Sequence, residues 1–185
     1  MYVMLDLETL SSESNAAIIS IGAVMFDKAG VATAESSRFY RNIIPGSNDD
    51  FGRHIDGNTV AWWMEQNEPA RRLAFSKIRA VPLDDGLYMF ARWCGGMVEE
   101  MWGNGSDFDN VILANAYKAT RIDMPWAYKA NRCYRTAMMD VPVARKDQLW
   151  AKWNVGVQHH ALDDAVRQAH ILCEVRWPAQ VSEAA

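Results

Sequence analysis

Residues 1–10, MYVMLDLETL, decide how this chain is read. An apolar run, Tyr2 to Leu5, opens directly onto Asp6 and Glu8. Alternate residues of a β-strand point to the same face. A strand here therefore projects Asp6 and Glu8 together and turns Leu7 back toward the core. Two carboxylates on one face repel each other and are costly without a cation between them. Hard divalent ions such as Mg²⁺ and Mn²⁺ prefer oxygen ligands of this kind. The opening asks for a metal, and the rest of the chain must supply more ligands. Taken alone, an Asp-x-Glu after an apolar run is more often a solvated pair.

Working outward, Met4 to Thr9 reads as the first strand and Ala17 to Phe26 (AIISIGAVMF) as a second. Ser37 to Ile44 alternates like a half-exposed third strand. Close spacing makes these three antiparallel hairpins. Pro45 to Gly57 reads as a long loop. Beyond it, Asn58 or Thr59 caps a short helix carrying Trp62, and Pro69 starts another. Leu83 to Glu100 has helical spacing and leads into a short strand at Met101-Trp102. Asp107 to Lys118 suits a helix, Trp126 to Tyr128 a brief last strand, and Ala161 to Trp177 a helix stopped by Pro178. Hairpins followed by β–α alternation predict an α/β domain, a mixed sheet flanked by helices. No repeat or linker divides the chain, so residues 1–178 are expected to form one domain and 179–185 a flexible tail.

The 185 residues, half of them hydrophobic, are enough for a substantial core. Cys94, Cys133 and Cys173 have no paired spacing, so neither a disulfide framework nor a zinc cluster is expected, and a reducing cytoplasm fits. No signal peptide or membrane span is expected. A formal net charge of −4 argues against coating long duplexes through a basic face. It leaves room for an enzyme that grips a few nucleotides, because carboxylates gathered around metals lower the net charge.

Near the far end, QHHALDDAVRQAH sets His159 five residues before Asp164. With a helix starting near Ala161, the imidazole sits on the preceding loop and the carboxylate one turn in, an arrangement that suits a base beside a metal. In the middle, MWGNGSDFDNVIL places Asp107 and Asp109 after a short strand and a Gly-rich turn, where α/β sheets commonly present functional groups. Asp107 has a structural explanation as a helix N-cap.

DLET at 6–9, Asn-x-x-x-Phe-Asp at 104–109 and His-x-Ala-x-x-Asp at 159–164 occur in order. They resemble the three motifs of the DEDDh, or DnaQ-like, 3′→5′ exonucleases. NAAIISIGAV, TVAWW and RCYRT make the chain similar to the compact RNase T-like exoribonucleases of bacteria and phages, over about residues 1–177. The resemblance implies an RNase H-like fold with a five-stranded mixed sheet whose second strand is antiparallel. It implies two Mg²⁺ or Mn²⁺ ions held by Asp6, Glu8, Asp109 and Asp164. Asp6 would bridge both, Glu8 and Asp164 would serve the ion that activates water, and Asp109 would hold the other. His159 would be the general base; an imidazole, with an ordinary pKa of about 6.5, can take a proton at neutral pH. Asp109 is favoured over Asp107 because it follows Phe108.

The expected activity is metal-dependent 3′→5′ removal of nucleoside 5′-monophosphates from single-stranded ends, RNA first and DNA close behind. The rivals are a non-cutting RNase H-like binding module, and an endonuclease or small-nucleotide phosphodiesterase on the same fold. Thr9, Leu10, Asn104 and Phe108 are candidates for substrate contact, with simple packing the alternative for Leu10 and a turn-holding role the alternative for Asn104. Trp62 and Trp63 read as core, with one of them a candidate to cover substrate or a subunit interface, and Arg132 and Arg135 as phosphate contacts or internal ion pairs. His54 and His170 read as structural, Asp163 as a solvated or capping neighbour and His160 as a flanking residue. Related proteins and exposed aromatics suggest a homodimer without defining an interface.

Overall fold

The computed structural model describes residues 1–96, 98–154 and 156–178, so the expected tail at 179–185 lies outside the described residues. Its strands are β1 (Tyr2–Thr9), β2 (Ile18–Asp27), β3 (Gly30–Val31), β4 (Arg38–Asn42), β5 (Glu100–Gly103) and β6 (Asn131–Cys133). β1 lies at the centre of one mixed sheet, antiparallel to β2 and parallel to β5, which is parallel to β6. β3 and β4 share the outer edge of β2, both antiparallel to it. The mixed sheet and its antiparallel second strand are as expected; β3 adds a two-residue sixth strand after the turn at Asp27.

The helices are α1 (Gly57–Glu65), α2 (Glu68–Ala74), α3 (Leu83–Cys94), α4 (Asp109–Thr120), α5 (Tyr134–Ala137), α6 (Val143–Lys152) and α7 (Ala161–Arg176). Strand alternation sorts the core into two layers. Val3, Leu5 and Leu7 of β1 point to the side where α3 and α4 pack. Met4 points to the other side, where α5, α6 and α7 pack. Asp6 and Glu8 have the same parity as Met4, so they emerge toward α7. A third cluster joins Leu10, Ala17, Ile19, Trp63 and Ala74, tying α1 and α2 to the end of β1.

Four local expectations are corrected. The last strand is Asn131–Cys133, not Trp126–Tyr128. Trp126 is a core residue whose indole Nε1 donates to Asn131 Oδ1, and the strand follows from pairing with β5. α3 stops at Cys94, six residues short, because Gly95 takes a left-handed conformation with φ 62°. Asp56 caps α1, its carboxylate accepting from Asn58 N. Asp107 is exposed and caps nothing; Phe108 occupies the N-cap position of α4.

One glycine sets the distance between sheet and helix. Gly22 of β2 is the register partner of Asp6. A Cβ built there would lie 2.2 Å from the backbone of both Ala161 and Leu162. The first turn of α7 therefore rests directly on the sheet beside Asp6. Gly22→Ala is expected to lower stability by about 1–3 kcal/mol through overpacking and, as α7 lifts, to cut more than tenfold the nuclease activity that the sequence leads one to expect. Thermal melting and a hydrolysis assay check this; wild-type values in both would show that the seam does not place the helix.

Candidate active site

Three separate segments meet at the end of β1. Asp6 and Glu8 come from the strand, Asp109 from the first turn of α4, and His159 and Asp164 from the start of α7. All five line one cleft of about 440 Å³, together with Thr9, Asn104, Phe108, Trp62 and Arg135.

Asp109 is the most tightly held. Its side chain is buried at 1% exposure. Oδ1 accepts from Leu7 N at 3.0 Å and Oδ2 from Asn104 N at 2.7 Å. Leu7 is the residue between the two strand carboxylates, so this bond fixes α4 against β1 where they project. Gly103 allows the approach, since a Cβ there would fall 2.9 Å from Asp109 Cβ.

α7 brings the second group. Asp164 Oδ2 accepts from His159 N at 2.9 Å, which closes the loop back onto the helix. Asp164 Oδ1 is paired with the buried Arg167 guanidinium. His159 sits in a left-handed conformation with φ 63°, a strained geometry for a residue with a side chain. Its ring stands edge-to-face against Trp62 and Trp63, with centroids 5.0 and 6.3 Å away. Ligand atoms of Glu8, His159 and Asp164 all lie within 4.8 Å of one another.

His160 turns the other way. Its Nδ1 lies 3.0 Å from Asp163 Oδ2 and its ring packs 4.3 Å from that of Tyr40. His54 pairs with Ser11 Oγ at 2.8 Å and His170 stacks on Trp153. All three imidazoles have partners away from the carboxylates of the cleft, and those of His54 and His170 fit the structural role the sequence suggested. Arg132 forms an ion pair with Glu100, whereas Arg135 donates to Asn104 O at the cleft wall. Thr9 lines the cleft and its carbonyl accepts from the Trp63 indole at 2.8 Å. Leu10 is different: it is buried beside Trp63, where packing explains it.

The carboxylates resist ionising together. Burial, reinforced by Asp109, Glu8 and Asp164, holds the Asp6 carboxyl well above the usual range. Burial, then Asp164 and Asp109, does the same to Glu8. Burial pushes Asp109 up to about 6 despite its backbone hydrogen bonds. Asp164 is raised by burial and held back by Arg167. Glu8 Oε1 is buried with no hydrogen-bond donor among the described residues. A cation is the group that satisfies such an oxygen and permits all four charges, so the donor set fits a hard divalent metal.

Two supporting residues escaped the sequence reading. Gln168 Nε2 donates to Asp6 Oδ1 at 2.9 Å, and Arg167 neutralises Asp164. Both lie one helical turn after Asp164, a spacing that points them to its side of α7.

Among solved structures, the Mg²⁺- and Mn²⁺-bound form of S. pombe Pop2p matches with a TM-score of 0.61. The identity is 17%, over 97% of this chain and 84% of that one. The fold is RNase H-like, as the sequence motifs implied. No functionally curated protein matches the sequence significantly. The 3′-5′ exoribonuclease Rv2179c-like domain family matches residues 1–176, and the chain belongs to it.

Proposed function

We propose that this cleft hydrolyses single-stranded RNA from the 3′ end, releasing nucleoside 5′-monophosphates, and that it does so with two divalent metal ions. The observation that carries the reading is the convergence of Asp6, Glu8, Asp109 and Asp164 on one cleft with a donor-less buried oxygen on Glu8. Those four side chains would hold the ions, which when bound activate the attacking water and offset charge on the leaving 3′ oxygen.

The remaining steps belong to the chain itself. His159 takes the proton of the attacking water at a ring nitrogen, within reach of Glu8 and Asp164. Trp62 and Trp63 keep the imidazole facing inward, and the Asp164–His159 backbone bond keeps its loop closed. Gln168 fixes the Asp6 carboxylate for ligation. Thr9, Asn104 and Phe108 border the position of the terminal nucleotide. Half-exposed Trp62 offers an aromatic edge to its base. Membership of an exoribonuclease family favours RNA over DNA.

The test compares linear and circular RNA of one sequence, with and without Mn²⁺. Linear RNA should be shortened from its 3′ end to monophosphates only when the ion is present, and the circle should survive. Nicking of the circle would overturn the exonuclease reading. Metal-independent cutting would overturn the ligand assignment.

A further inference from the structure

A second depression opens beside the cleft and shares three of its lining residues, Asn104, Arg135 and Trp150. It encloses about 310 Å³ and is lined also by Tyr134, Met138 and Lys146. A volume of roughly 300 Å³ is enough for a small organic ligand.

α6 builds its outer wall. Arg145 and Lys152 of α6 both pair with Glu174 of α7, Trp153 Nε1 donates to the same carboxylate at 2.7 Å, and Leu149 is fully buried. The helix is thus anchored through one face. Lys146 and Trp150, four residues apart, share another face. The Arg167 guanidinium lies over the Trp150 ring, 4.8 Å from its centroid, yet Trp150 remains 44% exposed. Arg135 and Lys146 supply two positive charges, of which Asp147 offsets one. A part-exposed aromatic ring in a groove that also carries two cations is the chemistry that holds a base and its flanking phosphates.

The geometry points to this groove as the binding site for the nucleotide upstream of the scissile phosphate. Its base stacks on Trp150, and its phosphates run between Arg135 and Lys146. The inference rests on the exoribonuclease reading of the adjoining cleft, and its occupant follows from continuity with that cleft. An RNA strand whose 3′ end is among the carboxylates can leave over Asn104 and Arg135 into the groove. The site therefore sets how much better the enzyme handles a chain than a dinucleotide.

The test measures length dependence. Hydrolysis in Mn²⁺ and binding by fluorescence anisotropy in metal-free buffer are compared for a hexanucleotide and a dinucleotide. The hexanucleotide-to-dinucleotide ratio is expected to fall about tenfold in Trp150→Ala and in Lys146→Glu, in line with losing one stacked base or one phosphate contact. Trp150→Phe should recover most of the ratio, which separates stacking from a folding defect. Lys146→Ala should also reduce the slope of log affinity against log salt by about 0.7. Unchanged ratios in variants that still cut RNA would overturn the groove and leave the nuclease reading standing. A wild-type protein that cuts nothing, yet binds the hexanucleotide through Lys146 and Trp150, would do the reverse.

Discussion

Asp6→Asn is expected to abolish hydrolysis while making the metal-free protein more stable at neutral pH. The loss follows from removing the charge that lies among Glu8, Asp109 and Asp164. The gain follows from linkage. Below the ordinary carboxylate pKa of about 4, the folded and unfolded chains both carry the proton, and the cluster costs little. As pH rises the unfolded chain ionises first, because burial and mutual repulsion hold the folded carboxyls protonated longer. Stability therefore falls with increasing pH across this interval. For Asp109 the fall is complete only above its folded value of about 6. Asn at position 6 keeps an oxygen to accept from Gln168 and removes one contributor. We expect a gain of about 1 kcal/mol at pH 7.5, or roughly 2–4 °C in Tm for a chain of this size, vanishing near pH 4. Mn²⁺ should raise the wild-type Tm more at pH 7.5 than at pH 5, since binding must displace those protons. The shift should be largely lost in Asp6→Asn. Thermal melts over pH 4–8, with and without Mn²⁺, check every part. Retained metal-dependent hydrolysis in Asp6→Asn would remove the ligand assignment altogether.

The second large effect separates two adjacent histidines. Replacing His159 should lower kcat by about 10²–10⁴, with KM and metal-dependent Tm shift little changed. The backbone there is left-handed, φ 63°, so Ala would add strain of its own. His159→Asn is the sharper variant, because Asn tolerates that conformation and cannot serve as the base. His160→Ala should cost stability, through its contacts to Asp163 and Tyr40, and leave kcat within a few-fold of wild type. If His160→Ala were the damaging change, the assignment of the base would be off by one residue.

The features that the sequence made legible are those carried by local pattern. β1 and β2 are long apolar runs buried on both faces, and parity alone placed Asp6 and Glu8 together. The alanine-rich, charged run Ala161 to Trp177 announced a helix, and α7 spans Ala161–Arg176. What escaped depends on contacts distant in sequence. β6 is three residues long and partly exposed, so no apolar signal marks it; pairing with β5 creates it. α6 buries only Leu149, and its hold on the molecule comes through Glu174 of another helix. Gly22 reads as an ordinary small residue within a strand, and its part in seating α7 appears only once the two segments lie against each other. Leu10, a candidate for touching substrate, is held instead in the small core beneath α1.

The long sequence separation between the parts of the cleft has a consequence for synthesis. Leu7 waits 102 residues for Asp109, and Asp6 waits 162 for Gln168. A ribosome making this chain releases Asp6 and Glu8 before Asp109, and Asp109 before His159 and Asp164. Until residues 159–168 have been made, Asp6 and Glu8 lack Asp164, Gln168 and the loop that carries His159, so the cleft assembles only once β1 and the start of α7 can meet.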